Sequence, residues 1–450
     1  MNQLPQADGA FATADDGTAL QPSADSQPPP IASGVPAVPS SWKLAHPLTW
    51  RVFNCYCGRP VFFRNTQCLN CARPLGYEPE KAQLVALEAA QDLSGQFCIA
   101  GEPGGWLYRR CANFETAARC NWLIPVTDGQ NNTLCRCCRL NRIVPEQGIE
   151  ANQKWWRLVE IAKRRLVSSL IALGLPVASR VSEDPVGGLA FDLLVALPGA
   201  VPVMTGHEDG IITLNVNEAD DSTREAARSA MREPYRTVLG HLRHESGHYY
   251  WSRLLETSPW LEPYRALFGD ERENYGAALA RHHTQGPPPD WAGSFVSAYA
   301  SSHPWEDWAE TWAHYLHMLD TLDTALSAGI DSGRVELLQD PFDEAALYTG
   351  WTPVQGEPDR NFLAFVNAWV ELTSVLNELS RSMGLRDFYP FVLSNRAVTK
   401  LHFVHRFVME HRRAIQGPAA FESVAGEEDP GAALDTPADP QPGADADTPA

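Results

Sequence analysis

From Gln153 to Gly174 the chain repeats apolar side chains every three or four positions (WWRLVEIAKRRLVSSLIALGL), the pattern of an amphipathic helix closed by a glycine. Two continuous apolar runs follow, LAFDLLVAL near 189–197 and IITLNV at 211–216, and both read as strands. An acidic helical stretch is expected from about Ser222, and a further helix, with Pro234 in its first turn, from there through Tyr235 to about Leu255. At 303–319 the run HPWEDWAETWAHYLHML opens on Pro304 and sets Trp305, Trp308, Ala309, Trp312 and Leu316 on one stripe, with Glu306 and Glu310 on another face. Phe362, Phe365, Trp369, Leu372, Val375, Leu376 and Leu379 continue at helical spacing up to Gly384, and KLHFVHRFVMEHRR predicts a last helix whose basic end suits its C-terminus. Its His402, His405 and His411 are given ordinary surface or core roles.

A chain of 450 residues predicts two or three domains. The net charge of −19 concentrates at the ends: residues 1–42 hold four acids and no Lys or Arg, and residues 417–450 hold eight acids and no base. Segments of this Pro, Ala, Asp and Gly composition cannot offset their ordering entropy, so 1–45 and 417–450 are expected to be disordered tails. No run of 18 apolar residues and no basic, apolar leader is seen, which predicts a cytoplasmic protein without a membrane segment.

All ten cysteines lie between Cys55 and Cys138. Without an export signal such crowding points to metal rather than disulfides. Cys55-x-Cys57 and Cys68-x-x-Cys71 make two thiolate knuckles on either side of the β-prone VFFRNTQ, which is the shell structural Zn2+ prefers. Cys111, Cys120, Cys135 and Cys138 form a second, looser set, and Cys98 and Cys137 are left as small buried hydrophobes. Residues 51–145 therefore read as a zinc-ribbon domain. Their 11 Lys and Arg against 7 Asp and Glu would be cancelled by the charge of two tetrathiolate centres, so no stripe for nucleic acid remains, and the ribbon is expected to be structural or to face protein.

The helix expected around residue 245 contains His244-Glu245-Ser246-Gly247-His248. Imidazoles four residues apart are rotated by only about 40° on a helix and can reach one ion, with Glu245 placed to act as general base. The alternative is a pair of surface histidines beside a charged Glu. Gly247 argues against it, since a glycine inside a helix costs about 1 kcal/mol and usually admits a close neighbour. A third ligand is not at the positions a metzincin would use, which hold Trp251 and Leu254. The downstream helix offers Glu306 or Glu310.

The run from Tyr299 to Glu310 (YASSHPWEDWAE) resembles the Y-A-x-x-x-P-x-E-x-x-A segment of Glu-liganded zinc peptidases related to anthrax lethal factor. The likeness implies that Glu306 binds zinc and that Tyr299 steadies the tetrahedral intermediate. From Cys55 to about His405 the chain also resembles a bacterial family of zinc-binding metallopeptidases with an N-terminal zinc ribbon, on the motifs CYC, CLNC, CANFETAARCNW, CRCCRL, ITLNVNEADD, LRHESGHYYW, YASSHPWEDWAETWAHYLH and RSMGLRDFYPF.

The expectation is thus an α+β protein: a Cys-rich ribbon or treble-clef module at 51–145, then a mostly helical zincin-like domain with a small sheet at 150–350, completed by helices at 355–415. One catalytic Zn2+ on His244, His248 and Glu306 and two structural Zn2+ on the cysteines are expected, with Glu245 as base, Tyr299 as oxyanion donor and Glu310 orienting an imidazole. The partner is a peptide or protein substrate, which the edge of ITLNV could pair with as an added strand. The rival is a zinc-scaffolded protein-binding module that turns nothing over. An intact Glu245 and Tyr299 favour the enzyme, because a binder needs no proton shuttle.

Overall fold

Short antiparallel strands dominate the N-terminal region because its apolar residues come in brief runs between turns. The computed structural model describes residues 48–416 except 91, 92, 94, 103, 130, 198, 200–202, 232, 331–341 and 351–356, all within one unit. The tails expected at 1–45 and 417–450 lie outside the described residues. A two-stranded hairpin, β1 (Val52–Asn54) and β2 (Pro60–Phe62), carries the first cysteines. A five-stranded antiparallel sheet follows in sequence order: β3 (Leu75–Glu78), β4 (Gln83–Ala89), β5 (Gln96–Ile99), β6 (Tyr108–Arg110) and β7 (Leu123–Pro125).

The second sheet has the order β10-β11-β9-β8. Its first strand in the chain, β8 (Asn141–Ile143), follows directly on the second cysteine set and pairs in parallel with β9 (Ala190–Leu194). β11 (Ile211–Asn215) pairs in parallel with the other side of β9, and β10 (Gly206–Glu208) runs antiparallel along β11. ITLNV is therefore an inner strand, with β10 hydrogen-bonded along the edge that was expected to take a peptide. The reason is local: the two-residue turn at Asp209 and Gly210, both at positive φ, folds residues 206–208 back onto it.

Helix α1 (Glu150–Ala172) begins a few residues earlier than its apolar pattern predicts, and α2 (Asp221–Ala230) is capped by Asp220. α3 (Val238–Tyr250) begins after Pro234, not on it: the Thr237 hydroxyl accepts from the Gly240 N–H at 2.9 Å and sets the start. Residues Trp251–Leu255 continue α3 as a π segment, closed by Glu256 N–H to Trp251 C=O at 2.9 Å. Then come α4 (Leu261–Phe268), α5 (Tyr275–Gln285), α6 (Pro304–Ser327), α7 (Glu357–Ser382) and α8 (Asn395–Gln416). No helix among the described residues is long and apolar enough to cross a membrane.

One core runs through both regions, from Phe53 and Trp122 through Leu166 and Leu214 to Trp308, Trp312 and Phe407. α6 is its axis. Asp320 of α6 accepts from Arg51 Nε at 2.8 Å, from Arg243 Nη2 at 2.5 Å and from Arg165, which ties the N-terminal hairpin, α3 and α1 to one buried carboxylate. One turn on, Asp323 accepts from the Thr49 hydroxyl at 2.6 Å. Stripping one partner from such a buried network leaves a charge uncompensated, at about 3–5 kcal/mol.

Candidate metal centres and active site

The first cysteine set is held by tight turns. Gly58 at φ +80° follows Cys57, and Cys68 donates its N–H to Arg73 C=O at 2.9 Å. The four sulfurs of Cys55, Cys57, Cys68 and Cys71 all lie within 4.8 Å of one another, with Cys55–Cys71 at 3.6 Å and Cys57–Cys68 at 3.7 Å. A tetrahedron with Zn–S bonds of about 2.3 Å has edges of about 3.8 Å, so the spacing fits zinc. Cys57 accepts from Asn70 Nδ2 at 3.5 Å, and that bond draws its thiol down to about 6.

Cys111, Cys120, Cys135 and Cys138 meet the same test, within 4.8 Å and with Cys120–Cys135 at 3.6 Å, but all four are buried. Backbone N–H groups of Cys135 and Cys138 point at the sulfurs of Cys111 and Cys135, both at 3.4 Å. α1 sends Lys163 and Arg164 into the same interior. Burial alone would depress both, yet Glu160 and the Cys137 and Cys138 thiols hold Lys163 above its ordinary range, and Cys120 and Glu160 do the same for Arg164. Glu160 lies 2.7 Å from Lys163 and 3.8 Å from Arg164, so the three together leave one positive charge near the buried thiols. Cys137 is a buried hydrophobe as expected, whereas Cys98 is only partly covered and contacts Glu88 C=O at 3.6 Å.

The third centre lies where α3 crosses α6. The helices approach closely because position 247 has no side chain: a Cβ there would meet Ala309 Cα at 3.0 Å and Trp312 Cδ1 at 3.1 Å. Trp308 Nε1 donates to Gly247 C=O at 2.9 Å and Trp312 Nε1 to Ser246 Oγ at 3.1 Å, locking the register. On the α6 side, His303 caps the helix by accepting from Trp305 N–H at 3.1 Å. This crossing brings His244 Nε2 and His248 Nε2 to 3.2 Å, and Glu306 Oε2 to 3.0 Å and 3.6 Å from them.

These three atoms are all acceptors at a metal site, and a tetrahedral ion at about 2.0–2.1 Å would space nitrogens by about 3.3 Å. Glu306 Oε2 and His248 Nδ1 are buried without a hydrogen-bond partner. An orphaned carboxylate oxygen facing two imidazole nitrogens fits a cation shared among them. Burial opposes charge on His244, but Glu306 and Glu310 override it and hold the imidazole well above its usual range when no ion is present.

The surrounding groups fall into place by different means. Glu310 Oε1 lies 2.8 Å from His244 Nδ1, and its Oε2 accepts from the Ser297 hydroxyl at 2.6 Å. Ser297 Oγ also accepts from Ala300 N–H at 3.1 Å, which fixes the turn Tyr299–Ser302. Tyr299 stands with its ring 6.0 Å from that of His244, and burial, Glu306 and Glu245 all push its phenol up. His248 has the tilted Trp305 ring at 3.9 Å between centroids, and its Nδ1 has no hydrogen-bond partner. Glu245 is buried next to His244 on α3, and the Tyr275 phenol is pushed up by burial and Glu306 with a lesser contribution from Glu245.

Two residues escaped the sequence reading: Ser297, two positions ahead of the recognised run, and Tyr275, whose hydroxyl donates to Glu306 Oε1 at 2.5 Å. His241 and His314 do not join the centre: the first pairs with Glu218 at 2.9 Å, the second with Tyr389 at 2.6 Å. A cleft of about 510 Å³ lined by Ile124, Arg136 and Val177 holds none of these groups.

Comparison with known proteins defines the class. Residues 152–407 match the profile of the family described as "Putative zinc-binding metallo-peptidase", and residues 52–149 match a zinc-ribbon domain. The chain belongs to this metallopeptidase family, and zinc is its metal. Uncharacterized proteins of Mycobacterium tuberculosis and Mycobacterium bovis are similar to it, at 40% identity over 362 residues that cover 80% of this chain and 96% of theirs. No solved structure matches the chain.

Proposed function

We propose that this protein is a zinc-dependent peptidase with a zincin-like catalytic region, cleaving peptide bonds in a peptide or protein substrate. The observation that carries the reading is the convergence of His244 Nε2, His248 Nε2 and the orphaned Glu306 Oε2, with Glu245 and Tyr299 beside them. Zinc held by these three residues supplies Lewis-acid polarisation of water and of the scissile carbonyl. Glu245 takes the proton from the attacking water on its carboxylate and passes it to the leaving amine. Tyr299 donates its hydroxyl to the developing oxyanion, a contribution of about 2.7–4 kcal/mol in comparable sites. Glu310 accepts from His244 Nδ1, so that Nε2 keeps its lone pair for the metal.

An extended substrate has β10 as its available edge, since β11 is covered and β10 closes the sheet order. Two further zinc ions on the cysteine sets are structural, and reduced thiolates suit the cytoplasm. The test is cleavage of a peptide library by the zinc-loaded full chain, read by mass spectrometry, with Glu245→Gln as control. Cleavage by the wild type that vanishes in the variant is the expected result. Zinc retained at this centre without any cleavage would favour the scaffold reading instead.

A further inference from the structure

Tyr275 is the first residue of α5, whose cap residue Asn274 accepts from Ala277 N–H at 2.8 Å. Its ring packs edge-on against His303 at 5.2 Å and Trp305 at 5.9 Å, while 39% of the residue remains exposed at the rim of the site. Its hydroxyl donates to Glu306 Oε1. Glu306 is 1% exposed, and its other oxygen has no donor in hydrogen-bonding geometry although His244 Nε2 is 3.0 Å away. The two oxygens of one buried carboxylate are thus divided, one toward a phenol and one toward the imidazoles. Among the described hydrogen bonds Tyr299 makes none to Glu306, its ring standing 6.0 Å from that of His244.

We propose that Tyr275 is a positioning residue that occupies Glu306 Oε1 and so leaves Oε2 as the single oxygen presented to the metal. This rests on the reading of His244, His248 and Glu306 as the zinc ligands. A carboxylate with both oxygens free can chelate, which would fill the place that water and substrate need. The phenol prevents it by hydrogen bonding, as partners of ligating carboxylates do.

The experiment uses the full chain with zinc on its cysteines and Co2+ titrated into the His/Glu centre after mild chelation. Four-coordinate Co2+ absorbs visible light far more strongly than five-coordinate Co2+, and the absence of sulfur charge-transfer bands distinguishes this centre from the thiolate sites. Tyr275→Phe keeps the ring packing and should weaken the visible bands as coordination rises, while loss of the hydrogen bond that holds the carboxylate in place should lower zinc affinity about 10 to 100-fold by dye competition. Tyr315→Phe, whose hydroxyl bonds His405 at 3.1 Å away from the site, should leave both unchanged. A Tyr275→Phe spectrum and affinity equal to wild type, or an equal change in Tyr315→Phe, overturns the proposal. Glu306→Ala separates the two levels: if it leaves the wild-type spectrum intact, the ligand assignment itself has failed and Tyr275 falls with it.

Discussion

In the cysteine-rich region the candidate ligands stand on turns, irregular chain and one short 3-10 helix and each set supplies four like donors, whereas the helical region supplies two imidazoles and one carboxylate from two helices. The buried set on Cys111, Cys120, Cys135 and Cys138 brings four sulfurs together, with the buried Lys163, Arg164 and Glu160 of α1 behind them. Around His244, His248 and Glu306 stand Tyr275, bonded to Glu306, and Tyr299, its ring 6.0 Å from that of His244, while Glu245 is buried next to His244 on α3. On the function proposed above, a complete shell would return its binding energy as folding energy, and an incomplete one would keep a side open for chemistry.

Cys135→Ser tests the closed side most severely. Zinc binding to such shells is worth about 10–16 kcal/mol, so the variant should lose its cooperative melt or its solubility, and elemental analysis of the wild type should approach three zinc ions per chain. A wild-type value near one would remove a cysteine set from the comparison. On the open side, Glu306→Ala should empty the His/Glu centre, while Glu245→Gln should keep its zinc and lower peptide cleavage by about 100-fold or more. If Glu245→Gln cleaves as well as wild type, the two regions do not differ in the way argued.

Glu310→Ala sharpens the contrast at smaller scale, since it removes only the partner of His244 Nδ1: zinc affinity should fall by about 10 to 100-fold by dye competition. Should Glu310→Ala empty the site and Glu306→Ala leave it filled, the two carboxylates have exchanged roles. Gly247→Ala pushes a methyl against Ala309 and Trp312, and a destabilisation of about 1–3 kcal/mol in denaturant titration is expected.

The smallest effect is a pH dependence away from any metal. His402 Nδ1 accepts from Tyr348 N–H at 2.9 Å, Nε2 lies 2.8 Å from Asp359, and burial brings its pKa down to about 4. A histidine depressed in the fold takes up protons first in the unfolded chain, so its contribution is intact above about pH 6.5 and lost as pH falls toward 4. Denaturant titrations at pH 7 and pH 5 should differ by about 1–2 kcal/mol more in wild type than in His402→Gln.

Much of the local chemistry was legible along the chain because it obeys short periods. Cysteines two and three apart share a turn, histidines four apart share a helical face, and Pro304 with the tryptophan stripe marks α6 before any packing is known. The start of α3 was less legible, since Pro234 and Thr237 both invite a helix start and only the Thr237 hydroxyl caps one. ITLNV reads as a strand in sequence, but whether its edge is free depends on the fold of residues 206–208.

What the sequence by itself determined is therefore the ligand types, their spacing on each element and the family that these motifs define. The resemblance assigned Glu306 to the metal and Glu310 to an imidazole, and the tertiary structure supplied the geometry, with Glu306 facing both imidazole Nε2 atoms and Glu310 facing His244 Nδ1. The tertiary structure also brought in Ser297 and Tyr275, the latter 31 positions from the carboxylate it touches. The physical reason is that residues within one element are related by its repeat, while residues on different elements meet only through packing. At this centre the packing turns on the missing side chain of Gly247, which lets α3 and α6 approach until three acceptors face one point.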